Sequence, residues 1–205
     1  MTIPPRWDLT NVYPALDSPE FSRAAADFGS KLTDLEARVQ ELEALPAAPK
    51  DALAERLGAT VDFYNEVIVL FGTLRAYLEG FVSTDSFNNE AMRKLSELEQ
   101  AGVTFEVLGT RLQRFIGGLQ AVLPELVKQP GTLREHAFFL NEIAEQSRYL
   151  MSQPEEELAA ELSLSGGNAW GKLQGTVTSQ LTWEVELDGK LQKLPMPAII
   201  NLRSH

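Results

Sequence analysis

Three stretches in the front half of this chain place apolar side chains at alternating spacings of four and three residues. In the first, Phe21, Ala25, Phe28, Leu32, Leu35, Val39 and Leu42 form the series. An average repeat of 3.5 residues returns each of these side chains to one helix face, so the pattern demands a helix packed lengthwise on other helices. Asp17 or Ser18 can cap this helix, with Pro19 at its first position, where the missing N–H would have no partner anyway. The helix is expected to run to about Leu45, a length of roughly 40 Å at 1.5 Å per residue.

Pro46 to Pro49 then reads as a short connector, which makes the second helix antiparallel to the first. Its seam is Leu53, Leu57, Thr60, Tyr64, Val67, Phe71, Leu74, Leu78 and Phe81. Val61, Ile68, Leu70 and Tyr77 lie off that seam, so this helix is expected in the middle, with partners on two faces. Gly58, Gly72 and Gly80 each cost about 1 kcal/mol relative to alanine inside a helix, which predicts close approach by a neighbouring helix. Ser86 can cap a third helix with the seam Ala91, Leu95, Leu98, Gly102, Phe105, Gly109, Leu112 and Ile116. Gly117-Gly118 and Pro124 predict a stop. After a short segment to Lys128 and a break at Gln129-Pro130-Gly131, Thr132 is expected to cap a helix reaching about Met151.

The rhythm changes in the back part. Ser152 can cap a helix with Pro154 in its first turn, and Glu155, Glu156 and Glu157 there complement the helix dipole. Gly166-Gly167 stops it. Asn168 can start another helix, with Trp170, Leu173 and Val177 on one face. Beyond Ser179 the period becomes two: Leu181, Trp183, Val185 and Leu187 on one side, Thr182, Glu184 and Glu186 on the other. Asp188-Gly189 is a hairpin turn signal, and Lys190 to Leu194 would be the returning strand, ended by Pro195 and Pro197. Ahead of the first helix, Pro4, Pro5 and Pro14 block helix formation. Trp7, Leu9, Val12, Tyr13 and Leu16 are expected to lie across the bundle, with Trp7 as the anchor.

The predicted fold is therefore mainly α: a long antiparallel helical bundle, further helices and one small β-hairpin near the C-terminus. The expected divisions are a leader at 1–17, a long-helix bundle at 18–128 and helices plus hairpin at 129–194. Residues 195–205 read as the truncated start of a next segment.

With 205 residues the chain can bury a substantial core. A net charge of −11 disfavours nucleic acid and anionic membrane as partners. There is no cysteine, which removes disulfides and thiolate chemistry and fits a cytoplasmic setting. The opening MTIPPRWDLT lacks the pattern of a signal peptide, and no apolar run approaches the ~20 residues that span a bilayer.

Only two histidines occur, His136 and His205, and no HExxH pair. His136 reads as a structural residue. The Glu155–Glu157 cluster reads as a charged helix start rather than a cation site. Serine elbows of the G-x-S-x-G type and phosphate-binding glycine loops are missing. No catalytic, cofactor-binding or metal-binding residue is assigned within the chain.

The order of pieces nonetheless resembles a known family. Arg6-Trp7-Asp8-Leu9-Thr10-Asn11-Val12-Tyr13 is similar to an opening W-D-L-[ST]-x-[LIV]-[YF]. Tyr77 to Ala91, Pro124 to Leu140, and Leu150-Met151-Ser152-Gln153-Pro154-Glu155-Glu156-Glu157 follow in the same order, with Ala169-Trp170, Leu173 and the hairpin after them. Together these resemble the N-terminal region of oligoendopeptidase F, a family of zinc metallopeptidases related to thimet oligopeptidase.

The resemblance implies a helical lobe forming one wall of a deep channel that admits short peptides. Zinc, held by HExxH and a later glutamate, would belong to a catalytic lobe absent from these residues. No cofactor is expected in this chain, and its partners would be that lobe and short peptides. Trp170 and Trp183 are the expected channel or lobe-interface residues. The alternative is a stand-alone helical interaction module, in which the seams complete a self-contained bundle.

Overall fold

The computed structural model describes residues 8–45, 49–85, 87–187 and 189–202. Helix α1 spans Pro19–Glu43, α2 Lys50–Thr84 and α3 Asn89–Gly118. They pack against one another pairwise, and the seams interlock into one core. Phe28, Leu35, Val39, Leu57, Leu74 and Ile116 are among its fully buried side chains. Ala25, expected on the α1 seam, is exposed, and on α3 Leu108 is buried where Gly109 was expected. At about 25 cal/mol per Å² of apolar surface buried, such a core is the dominant force holding the bundle together.

The helix starts follow local chemistry. Ser18 caps α1, its Oγ accepting the Phe21 N–H at 3.2 Å. The α3 cap is Asn88, whose Oδ1 accepts from the Ala91 N–H at 3.0 Å. Ser86, the expected cap, lies outside the described residues. Asparagine two positions later gains the role because α3 begins one residue beyond it.

Helix α2 packs against both α1 and α3, but those two also pack against each other, so α2 does not stand between them as expected. By length and composition it could cross a membrane, with a mean hydropathy of 1.3 in its most apolar 18-residue window. The apolar-run reading overlooked it because scattered polar residues interrupt the run. Only part of that apolar window is buried in the bundle: Val69 and Ile68, the latter expected to meet a partner helix, are exposed.

The glycines correct a further expectation. Gly72 faces open space, and Gly58 makes only ordinary contacts with Thr132 and Leu133. The tight approaches are made by side chains rather than by a neighbouring helix backbone. A Cβ at Gly80 would lie 2.8 Å from Leu9 Cδ1, in the leader. One at Gly117 would overlap the Ser147 side chain.

The described part of the leader lies across one end of the bundle. Leu16 is buried and Leu9 and Tyr13 are packed on the core. Tyr13 meets Phe21 and Tyr77 edge-on, at 5.5 and 5.0 Å between ring centroids, and the Tyr77 hydroxyl donates to the Tyr13 carbonyl at 3.1 Å. Trp7, the expected anchor, lies outside the described residues.

After α3 the chain forms α4, Leu123–Leu126, then α5, Thr132–Glu135, and α6, Ala137–Gln146, followed by a 3-10 turn at Ser147–Tyr149. The expected continuous helix from Thr132 is broken at His136. Gly131, at φ 121°, precedes α5, and the Thr132 hydroxyl donates to Asp62 Oδ2 at 2.7 Å instead of capping. That bond ties α5 to α2, while Gln120 Nε2 donates to the Ala144 carbonyl at 3.0 Å and ties α6 to the end of α3.

Helix α7, Gln153–Ser165, lies on α3, and α8, Gly167–Gln180, turns back on α7. Strands β1, Thr182–Leu187, and β2, Lys190–Pro195, pair antiparallel with Trp183 opposite Leu194 and Glu184 opposite Lys193. Gly189 in the turn has φ 71°, the region that suits glycine. Val185 and Leu187 are half-buried while Glu184 and Glu186 are exposed, as the alternation predicted, but Leu181 and Trp183 of the same predicted face are exposed. A short helix α9, Met196–Asn201, follows β2 directly. The prolines that end the strand also start this helix, which is where proline is tolerated.

Candidate functional site

The α2 and α3 seams do more than meet. Tyr64 and Phe71 on α2 are seven residues apart, and so are Gly102 and Gly109 on α3. Each aromatic ring is seated over one glycine. A Cβ at Gly102 would fall 2.9 Å from Phe71 Cζ, and one at Gly109 would fall 2.9 Å from the Tyr64 hydroxyl. Phe105 lies between them, stacked on Tyr64 at 4.9 Å and tilted against Phe71 at 5.7 Å. The half-buried rings fill the glycine notches, and the α2–α3 surface they line, here called the trough, carries two separate cavities.

Helix α6 closes one end of the trough. There a cavity of about 300 Å³ is lined by Tyr64 and Asn65 of α2, Glu106 and Gln113 of α3, and Phe139 and Ile143 of α6. Toward α7 and α8 a smaller cavity of about 70 Å³ includes Phe71, Arg75, Glu99, Leu164 and Asn168. Glu106 lines both. Burial, and then the negative charge of Glu106, push the Tyr64 phenol above its ordinary value, so its proton stays on as a donor.

Asn65 Nδ2 is 3.3 Å from His136 Nε2. This places His136 as a bridge between α2 and the α5–α6 junction, a structural position. His205 lies outside the described residues. The Glu155 carboxylate accepts from both the N–H and the hydroxyl of Ser152, at 2.9 and 2.6 Å. Those bonds hold it below the ordinary carboxylate value. Glu156 Oε1 accepts the Met151 N–H at 2.9 Å. Both side chains thus serve the start of α7.

Among the described residues no three or more His, Asp or Glu side chains stand together as a metal site requires.

Trp170 on α8 and Trp183 on β1 are each 70% exposed, outside both trough cavities. No residue of α7, α8, β1 or β2 is buried. Leu158, Leu162, Leu173, Leu181 and Leu191 add to the exposed apolar surface there. Lys172 anchors the region through Glu99, with its Nζ also 3.2 Å from Ser96 Oγ on α3.

Sequence reasoning selected the two tryptophans and overlooked the trough. A signal was available: two aromatics and two glycines at matched heptad spacing on adjacent seams, with unpaired polar residues beside them.

The architecture is that of a helical lobe carrying an appended two-stranded sheet. Residues 120–183 match the family model described as Oligopeptidase F. The match covers 64 of the 205 residues, and over that stretch the chain is similar to this family. It takes in α4 to α8 and the start of β1, whereas the similar-looking leader and the Tyr77 to Ala91 tract lie outside it. No curated protein and no solved structure matches the chain.

Proposed function

We propose that this chain is the substrate-channel lobe of a zinc-dependent oligopeptidase, and that α7, α8 and the hairpin dock the catalytic lobe. The carrying observation is the run from Gln153 to Pro195, in which no described residue is buried although both Trp170 and Trp183 stand in it. An apolar surface of this extent on a polar chain marks an interaction site. Aromatic anchors that become desolvated carry much of the free energy of such interfaces. The family match falls on the same elements.

In this reading the lobe contributes shape. Long rigid helices bound a channel, and steric exclusion of folded proteins restricts substrates to short peptides. Zinc and the reacting groups belong to the catalytic lobe.

The test supplies a zinc-loaded oligopeptidase F catalytic lobe in trans. Tryptophan emission of the 205-residue chain should shift to the blue as Trp170 and Trp183 lose water, and a Trp170→Ala, Trp183→Ala variant should lose most of that shift. The chain alone should leave a quenched fluorescent peptide uncleaved. Zinc-dependent cleavage by the rigorously purified chain, or no association with the lobe, would refute the proposal. Self-association through the same face would instead favour an interaction module.

A further inference from the structure

The α2–α3–α6 cavity has the composition of a small recognition site. Its volume of about 300 Å³ lies at the lower end of ligand pockets, enough for one or two amino-acid residues. One wall is apolar, formed by Phe139, Leu140 and Ile143. The α2 and α3 side combines Val61, Leu112 and Ile116 with the Tyr64 hydroxyl, the Asn65 and Gln113 amides and the Glu106 carboxylate.

Glu106 is in no ion pair among the described residues, and its carboxylate stands at the exposed rim. Gln113 and the Tyr64 hydroxyl likewise make no side-chain hydrogen bond among the described residues. Asn65 uses its Nδ2 toward His136 and keeps its carbonyl oxygen free. Gly109 maintains the arrangement, since a side chain there would displace the phenol.

We propose that this cavity binds the amino-terminal residue of a short peptide. The α-ammonium pairs with Glu106. The first side chain, an apolar one, packs on Phe139 and Ile143. The first peptide group hydrogen-bonds to the Tyr64 hydroxyl and the Gln113 amide. A carboxylate beside neutral donors selects a cation with an amide next to it, and the apolar wall selects what that cation carries. The inference rests on reading the chain as a peptide-channel lobe and adds which end of the peptide it holds.

The test is an NMR titration of the isotope-labelled 205-residue chain with Phe-Ala-Ala and with its N-acetylated form. Free peptide should shift resonances of residues 64, 65, 106–113 and 139–143. Acetylation removes the charge and should weaken binding by about tenfold or more. Glu106→Gln should weaken the free peptide by about tenfold and leave the acetylated one unchanged. Tyr64→Phe keeps the stack on Phe105 and should weaken both peptides by a few-fold.

Equal binding of the two peptides, shifts centred elsewhere, or no binding by the wild-type chain would overturn the inference. Lobe docking is read separately, by tryptophan emission. Docking with a silent cavity would sink only this inference, and peptide binding without docking would sink only the functional reading.

Discussion

Replacing Gly102 by alanine sets helix propensity against packing. Inside a helix the change gains about 1 kcal/mol, because alanine loses less backbone entropy. In this bundle the new Cβ would stand 2.9 Å from Phe71 Cζ and 3.1 Å from Cε2. The ring has little room to yield, being stacked on Phe28 at 5.3 Å and set against Phe105 at 5.7 Å. Overpacking of this kind costs about 1 to 3 kcal/mol. Gly72→Ala is the matched control, since nothing lies within 4 Å of its Cβ position. Subtracting one variant from the other cancels the propensity gain. Gly72→Ala should therefore exceed Gly102→Ala in stability by about 1 to 3 kcal/mol. Urea unfolding read at constant m-value measures the difference. In a Phe71→Leu background the ring is gone, and Gly102→Ala should become stabilising by up to about 1 kcal/mol. Equal urea midpoints for the two single variants would refute the notch-and-ring account of the trough.

Three further predictions follow from the same structure. Leu74→Ala, at a position with 0% exposure, should cost about 3 to 4 kcal/mol in urea unfolding, as a core cavity does. Tyr77→Phe removes the donor to the Tyr13 carbonyl; it should cost about 1 kcal/mol and speed limited proteolysis of the leader. Glu155 has its folded-state pKa depressed by Ser152. Its contribution to α7 is therefore full above the ordinary value of 4.5 and is lost as pH falls through the lower folded-state value. Amide protection factors at the α7 start, which correct for the intrinsic slowing of exchange in acid, should fall across that window in the wild type, and Glu155→Gln should flatten the response.

Much of the bundle can be read from side-chain spacing. The α1 seam is buried along nearly its whole length because period and face are local properties of a helix. Ser18 and Ser152 were legible as helix starts for the same reason: a cap acts within three residues of itself. The hairpin was legible because alternation and a glycine able to take positive φ both lie within fourteen residues. The break at His136 was not. It depends on Thr132 reaching Asp62 and His136 reaching Asn65, partners some seventy residues away in sequence.

The trough separates the two kinds of information most clearly. Tyr64, Phe71, Gly102 and Gly109 all stood on predicted seams, but a seam does not say which ring meets which glycine. That pairing depends on the axial register between α2 and α3, which is set by packing the whole bundle at once. The exposed tryptophans make the same point from outside. Sequence marks Trp170 and Trp183 as apolar, and only the folded chain shows that its own core leaves them uncovered. By itself the sequence determined the seams of the three long helices, the Ser18 and Ser152 caps and the hairpin, because those rest on short-range geometry. Tertiary structure decided the cavity and the uncovered face, because both are properties of surfaces brought together from distant parts of the chain.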